Sequence, residues 1–221
     1  MTLPAPLDLL PDLLPGLGLT VALTVGGIVL ATAAAVTAGL ARLSPRAGVR
    51  AAATVYVEIF RGTSALVQLF WFYFALPFLG VDLPAFWAGV LVLGLNTGAY
   101  GAEVVRGAMR SVPGGQVEAA RALGFSQRQI RWRVVFPQAA IAMLPPAGNL
   151  AVELLKATAL VSMITLAELT FRAQVLRSST LRTVEIFAMV LVLYYGLARL
   201  LGLGFGVLER RLGAGRLQEA T

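Results

Sequence analysis

Two groups of polar residues stand inside otherwise apolar sequence, and both keep helical spacing. Asn96, Tyr100 and Glu103 lie at i, i+4 and i+7, and Asn149, Glu153 and Lys156 repeat that interval. On a helix each set shares one face. Glu103 and Asn96 can accept from an ammonium group, and Lys156 can hold a carboxylate. Two such faces meeting across a cavity would suit a zwitterion. The same side chains could instead pair with one another as packing, Lys156 with Glu103 or Glu153. An ionisable group in hydrocarbon costs roughly 3 kcal/mol by the gentlest scales, so each one needs a reason.

Other chemistries are excluded by residue type. The chain has no Cys and no His, which removes disulfides, thiolate nucleophiles, imidazole bases and almost all transition-metal sites. Its only lysine, Lys156, follows Leu155 rather than Gly, so no phosphate-binding loop is present. The chain does not hydrolyse nucleotide itself, and no cofactor is expected on it. An acid–base pair of Glu103 and Glu153 would be the remaining enzymatic option, without His, Cys or a metal set to assist it.

The elements that must carry these residues are membrane helices. Of 221 residues 58% are hydrophobic and 13% charged, and mean hydropathy is +0.80. That is about half the charge of a soluble domain. No strand-length alternation suggests a barrel. The pattern predicts one all-α membrane domain over 1–221, with five transmembrane helices at about 17–41, 62–81, 84–109, 134–157 and 185–208. The first span is rich in Gly, Ala and Thr, which suits close helix packing. Arg42, Arg46 and Arg50 follow it around Ser44-Pro45. Glu58 and Arg61, one turn apart, could pair at the rim of the second span, whose aromatic run Phe70–Phe74 reads as lipid-facing or packing surface. Pro145-Pro146 predicts a break in the fourth span. Leu160–Ser179 reads as a re-entrant or surface helix, with Glu168 and Arg172 as a solvated pair or part of a docking face.

Charge sets the orientation. Of 18 Lys and Arg, only Arg172, Arg177 and Arg182 fall on one side of this arrangement and only Lys156 and Arg199 within spans. By the positive-inside rule the N-terminal segment, with Asp8 and Asp12, lies outside, and the C-terminus, with Arg210, Arg211 and Arg216, is cytoplasmic. The net charge of +7 is then a matter of anionic lipid, not nucleic acid.

Between the third and fourth spans, in the predicted cytoplasmic loop 111–133, lies an Arg-rich island, Glu118–Pro137. Gly124 can take the left-handed conformation that closes a helix. Ser126 with Gln129 three residues on is a capping-box pattern that opens another. The island reads as two short helices hinged at Gly124, either a plug for another subunit or a solvated connection.

Here the sequence resembles a known family. Glu118-Ala119-Ala120, Gly124, Val134, Phe136 and Pro137 follow the EAA cytoplasmic signature of ABC importer permeases, with Val and Phe for the commoner Ile and Leu. Tyr56-x-Glu58-x-x-Arg61-Gly62-Thr63, Ala99-Tyr100-Gly101-Ala102-Glu103-x-x-Arg106-Gly107, Val112-Pro113-Gly114-Gly115-Gln116, Leu144-Pro145-Pro146-x-Gly148-Asn149 and Leu155-Lys156-x-Thr158-x-Leu160 are similar to the polar amino acid branch, of the histidine and glutamine type. The departures are Ser64 where that branch has Pro, and Ala157 and Ala159 where it has polar residues. The resemblance implies a type I importer permease of a bacterial inner membrane. It would work with a second permease chain, ABC ATPase subunits that bind ATP and Mg, and an extracytoplasmic amino-acid-binding protein. It also implies ATPase coupling through Glu118, Ala119, Ala120, Gly124 and Pro137, and an amino-acid path past Asn96, Tyr100, Glu103, Lys156 and Thr158. An ion-coupled secondary amino acid transporter would also want buried carboxylates, but it more often shows two repeated halves, and no repeat is visible.

Overall fold

A computed structural model describes residues 7–217, with side chains to residue 212; the Arg216 side chain, expected on the cytoplasmic side, lies outside these. Among the described residues every regular element is helical. Helix α1 covers Leu10–Ala41, α2 Ala47–Gly62 and α3 Ala65–Phe70, which runs on through a π turn (Trp71–Ala75) and a 3-10 turn (Leu76–Leu79). Helix α4 covers Ala85–Ser111, α5 Gly114–Ala122 and α6 Gln127–Gln129. A π turn, Ile130–Val135, leads into α7, Phe136–Ala157, which continues as 3-10 helix to Ile164. Helices α8 (Leu169–Thr180) and α9 (Thr183–Leu217) close the chain. Four helical runs are long and apolar enough to cross a membrane, or five if α2 and α3 form one bent span.

The bundle is centred on α1 against α4, which pack along most of their length. Small residues let the backbones approach. A Cβ added to Gly39 would fall 2.6 Å from Val105 Cβ, and one on Gly101 would fall 2.7 Å from Ala35 Cβ. Leu23, Leu93, Leu154 and Val161 carry this contact into α7 and its 3-10 extension. Leu13, Leu169, Ala173 and Ile186 join α1 to α8 and α9. The expectation of a small-faced first span therefore holds.

The second span, expected at about 62–81, is helical from Ala65 to Leu79 and is entered by a bend, with α2 and α3 meeting at 103° across Thr63-Ser64. Both residues are extended, and Ser64 has φ −67°, a value proline also adopts, so serine at this position preserves the turn. Such a break frees carbonyls at the end of α2 that need partners. Asn96 Nδ2 donates to the Phe60 carbonyl (2.8 Å). Gln68 Nε2 donates to the same carbonyl (3.0 Å) and to Thr63 Oγ1 (2.6 Å).

The fourth span is not broken at Pro145-Pro146; α7 is helical through both. Proline removes a donor and crowds the carbonyl four residues back, yet packing holds the helix. Gly148 lies against Phe205 of α9, which an added Cβ would meet at 3.1 Å, and Leu154 and Leu155 are buried. The departures from α geometry fall at the two ends of this run, in the π turn before it and the 3-10 turn after it. Leu160–Ser179 ends in a helix with an exposed outer side at Gln174, Val175 and Arg177–Ser179, in keeping with the surface-helix expectation. Ahead of that helix come a 3-10 turn and a short connection with Thr165 at φ 65°, and α8 is buried along Leu169 and Ala173.

If the α1–α4 contact sets the bundle, Gly101→Val should cost about 1–3 kcal/mol by overpacking. Thermal unfolding in detergent should show the loss, while Gly107→Val, at a glycine with open space around it, should not.

Candidate functional site

The Glu118–Pro137 island folds as its sequence implies at the turn and departs from it after the turn. Helix α5 ends in a Schellman arrangement: Gly124, at φ 79°, donates its N–H to the Arg121 carbonyl (3.0 Å), and Phe125 donates to Ala120 (3.1 Å). Two free carbonyls are satisfied in this way, and only glycine takes that φ without strain. Ser126 then opens the next helix with both capping-box bonds present, Gln129 N–H to Ser126 Oγ (3.3 Å) and Ser126 N–H to Gln129 Oε1 (2.8 Å). That helix is not short. From Gln127 the backbone stays helical to Ile164, so the second half of the island is the beginning of the fourth span. Ala120 and Ile130 are buried between the two arms, and Gln138 donates to Gln116 across them. Glu118, Ala119, Arg121, Gly124, Arg128, Arg131 and Pro137 are all exposed. The result is a basic hook with an exposed outer surface.

The five residues expected along a solute path are not gathered in one cavity. Asn96 is spent on the α2–α3 bend, with Gln68 Oε1 also 3.2 Å from its amide. Thr158 is buried, its hydroxyl donating to the Leu155 carbonyl (2.7 Å). Tyr100 is 41% exposed, and Lys156 is exposed. Among the described residues Lys156 forms no ion pair with Glu103, Glu153 or any other acid. The third and fourth spans therefore do not clasp one another by charge.

Glu103 is surrounded by arginine. Arg106, one turn on, donates to its Oε2 from Nε (2.8 Å) and Nη2 (2.6 Å). Arg42, at the end of α1, donates to Oε1, and Arg61 Nη1 of α2 lies 3.5 Å from the same oxygen. The guanidinium of Arg61 also sits 5.1 Å from the centre of the Tyr100 ring, a cation–π distance. Arg61 thus turns to Glu103 and Tyr100, and the expected pair with Glu58 does not form. A cavity of about 350 Å³ lies elsewhere, between α1, α4, α7 and α9, lined by Ala31, Thr32, Thr97, Val104, Leu150 and Phe205 among others. It is apolar and contains none of the five path residues.

Glu168 is the residue that sequence reasoning misjudged most. It has no exposed surface and makes no ion pair with Arg172. Its carboxyl accepts from the Phe171 N–H (2.8 Å), capping α8, and from Tyr194 of α9 (3.0 Å), and the Thr20 hydroxyl of α1 is 3.3 Å away. Three helices meet on one side chain. The only signal in the sequence is a helix N-cap position, since Glu is not a favoured cap and the long-range partners are invisible. In the connection between the fourth span and α8, burial pushes this carboxyl above its ordinary value, and the hydrogen bonds from Phe171, Tyr194 and Thr20 hold it down only in part.

With this geometry in place, comparison decides the family. Residues 24–214 match the model of the binding-protein-dependent transport system inner membrane component. The chain belongs to this family. A probable amino-acid ABC transporter permease of Sinorhizobium fredii is 49% identical over 178 residues, covering 77% of this chain and 74% of that protein. The glutamine transport system permease of Escherichia coli is 36% identical over 205 residues, covering 92% and 94%. A crystal structure of an amino acid ABC transporter with histidines matches with a TM-score of 0.87 at 34% identity, over 93% of this chain and 96% of that one. An inward-facing methionine ABC transporter shares the fold, with a TM-score of 0.78 at 21% identity over 92% and 97%. The resemblance read from the sequence is correct. The chain is an inner-membrane permease component of the ABC type and not an enzyme.

A raised folded-state pKa for Glu168 has a definite sign. The stability it supports is present below the ordinary glutamate pKa and is lost as pH rises through the raised value. Glu168→Gln, which keeps an acceptor for Phe171, should flatten the fall in melting temperature between those limits, measured across a pH series.

Proposed function

We propose that this chain is the membrane subunit of an ATP-driven importer that passes a polar amino acid inward by alternating access. The continuity of the helical run from Gln127 to Ile164 carries this reading. An ATPase subunit seated on the exposed Glu118, Ala119, Gly124 and Pro137 of the hook, with Ala120 packed beneath them, would push on a helix that is itself a membrane span. No flexible joint would absorb the stroke. Ala119 leaves room for close seating, Gly124 fixes the angle between the arms, and Arg121, Arg128 and Arg131 suit an acidic groove.

In this reading the N-terminus lies outside, the hook and the basic C-terminal end are cytoplasmic, and a second permease chain completes the passage. An extracytoplasmic binding protein delivers the amino acid, and ATP and Mg are held by the ATPase subunits. The names of the amino-acid, glutamine and histidine-bearing relatives support the substrate class. Along the path, Tyr100 and Lys156 would meet the solute. Asn96, Glu103 and Thr158 would act behind them: Asn96 holds the α2–α3 bend, Glu103 anchors the arginines and Thr158 keeps the end of α7 packed.

Two measurements test this. Gly124→Asp should leave the chain inserted but prevent co-purification of the ATPase and abolish uptake; a variant that retains both would sink the coupling role. Lys156→Met should reduce uptake at least tenfold in proteoliposomes, by loss of a charge-assisted contact. Unchanged rate and affinity would remove Lys156 from the path.

A further inference from the structure

The cluster around Glu103 carries an unbalanced charge. Arg42, Arg61 and Arg106 face one carboxylate, so three positive charges less one negative leave an excess of two. Both carboxylate oxygens are already engaged, by Arg42 and by the double contact of Arg106. Arg61 is left over. Its distance to Oε1 is 3.5 Å, its side chain is 39% exposed, and no hydrogen bond to it forms among the described residues. Glu58, one turn earlier on α2, is exposed and lies outside ion-pair range of Arg61. A guanidinium presents five donors in a planar fork suited to carboxylate or phosphate. The Tyr100 ring lies beside that fork, its centre 5.1 Å from the guanidinium carbon.

We infer that Arg61, backed by Tyr100 and by the Arg42–Glu103–Arg106 cluster, is the open side of an oxyanion-binding site that takes a carboxylate or a phosphate. The sign matters. Read from sequence, Glu103 looks like an acceptor for an ammonium group, but with three arginines around it the position attracts anions and repels cations. Two sources fit the chemistry: the carboxylate of the transported amino acid, or the phosphate of an anionic lipid. Only the first rests on the transport reading.

The complex purified in phosphatidylcholine nanodiscs separates them. One arm adds phosphatidylglycerol and counts retained lipid by native mass spectrometry. The other adds L-glutamine or L-glutaminamide, which lacks the carboxylate, and reads the melting temperature. Arg61→Gln should weaken the bound probe about tenfold, the loss expected for a hydrogen bond to a charged group. Arg61→Lys should recover part of it, and Glu103→Gln should tighten it by raising the excess charge. Retention of phosphatidylglycerol alone assigns the lipid source. A response to L-glutamine but not to its amide assigns the solute. Equal binding of both probes by wild type and by an Arg61→Gln protein of unchanged melting temperature would overturn the site, and so would weaker binding by an equally stable Glu103→Gln. Failure of the transport reading would leave the lipid arm intact, because lipid binding needs no passage of solute.

Discussion

The contact between α1 and α4 is the constraint on which the rest of the bundle depends. Lipid surrounds the helices with hydrocarbon as apolar as their own side chains, so association there rests on van der Waals fit more than on exclusion of water. Gly94, Gly98 and Gly101 on α4 and Gly39 on α1 supply that fit by leaving space that Leu30, Ala34, Ala35 and Val105 fill. Once these two helices are fixed, the face of α4 that carries Asn96, Tyr100 and Glu103 is directed toward α2. The opposite side receives α7. The close contact therefore decides which polar residues can reach which partners.

Backbone accounting explains how the bend survives beside that contact. A helix end in hydrocarbon leaves carbonyls with no water to satisfy them, and a turn of 103° between α2 and α3 would be costly without substitutes. Asn96 and Gln68 converge on the Phe60 carbonyl, and Tyr56 donates to the Leu95 carbonyl (2.7 Å). Polar residues that look from sequence like a ligand set are in this region a set of backbone partners. The same accounting separates Asn96 from Lys156. Asn96 spends both amide N–H groups within the chain, while Lys156 is exposed and forms no ion pair among the described residues.

What could be read from the sequence was local. The turn at Gly124 and the capping box at Ser126 depend on residues a few positions apart, and both form as their types require. The helical character of the chain and its small-faced first span follow from composition and period. The misreadings are all of longer range. Pro145-Pro146 argued for a break because the packing of Gly148 on Phe205 cannot be seen in sequence. Sequence alone offers Arg61 its near neighbour Glu58, but α4 brings Glu103 closer. Glu168 reads as half of a solvated pair or part of a docking face, because its partners, Thr20 and Tyr194, lie 148 and 26 residues away.

These long-range contacts bear on how the molecule could work as a lever. Helix α7 begins in the hook and ends beside Thr158 and Val161, which are buried among α1, α4 and α7's own extension. Glu168 follows within four residues of that extension and ties the chain onward to α1, α8 and α9. A displacement applied at Glu118–Pro137 would therefore reach the far end of the bundle through one helical run, and would meet there a junction fixed by hydrogen bonds. Rotation of α7 as a body is then easier than bending within it. The π turn at Ile130–Val135 and the 3-10 turn at Thr158–Ile164 bracket that body, and they are the places where helical hydrogen bonding already departs from the α pattern. In this reading, the proposed stroke of the ATPase passes through these two turns and past the prolines without a hinge, and α7 moves with the hook.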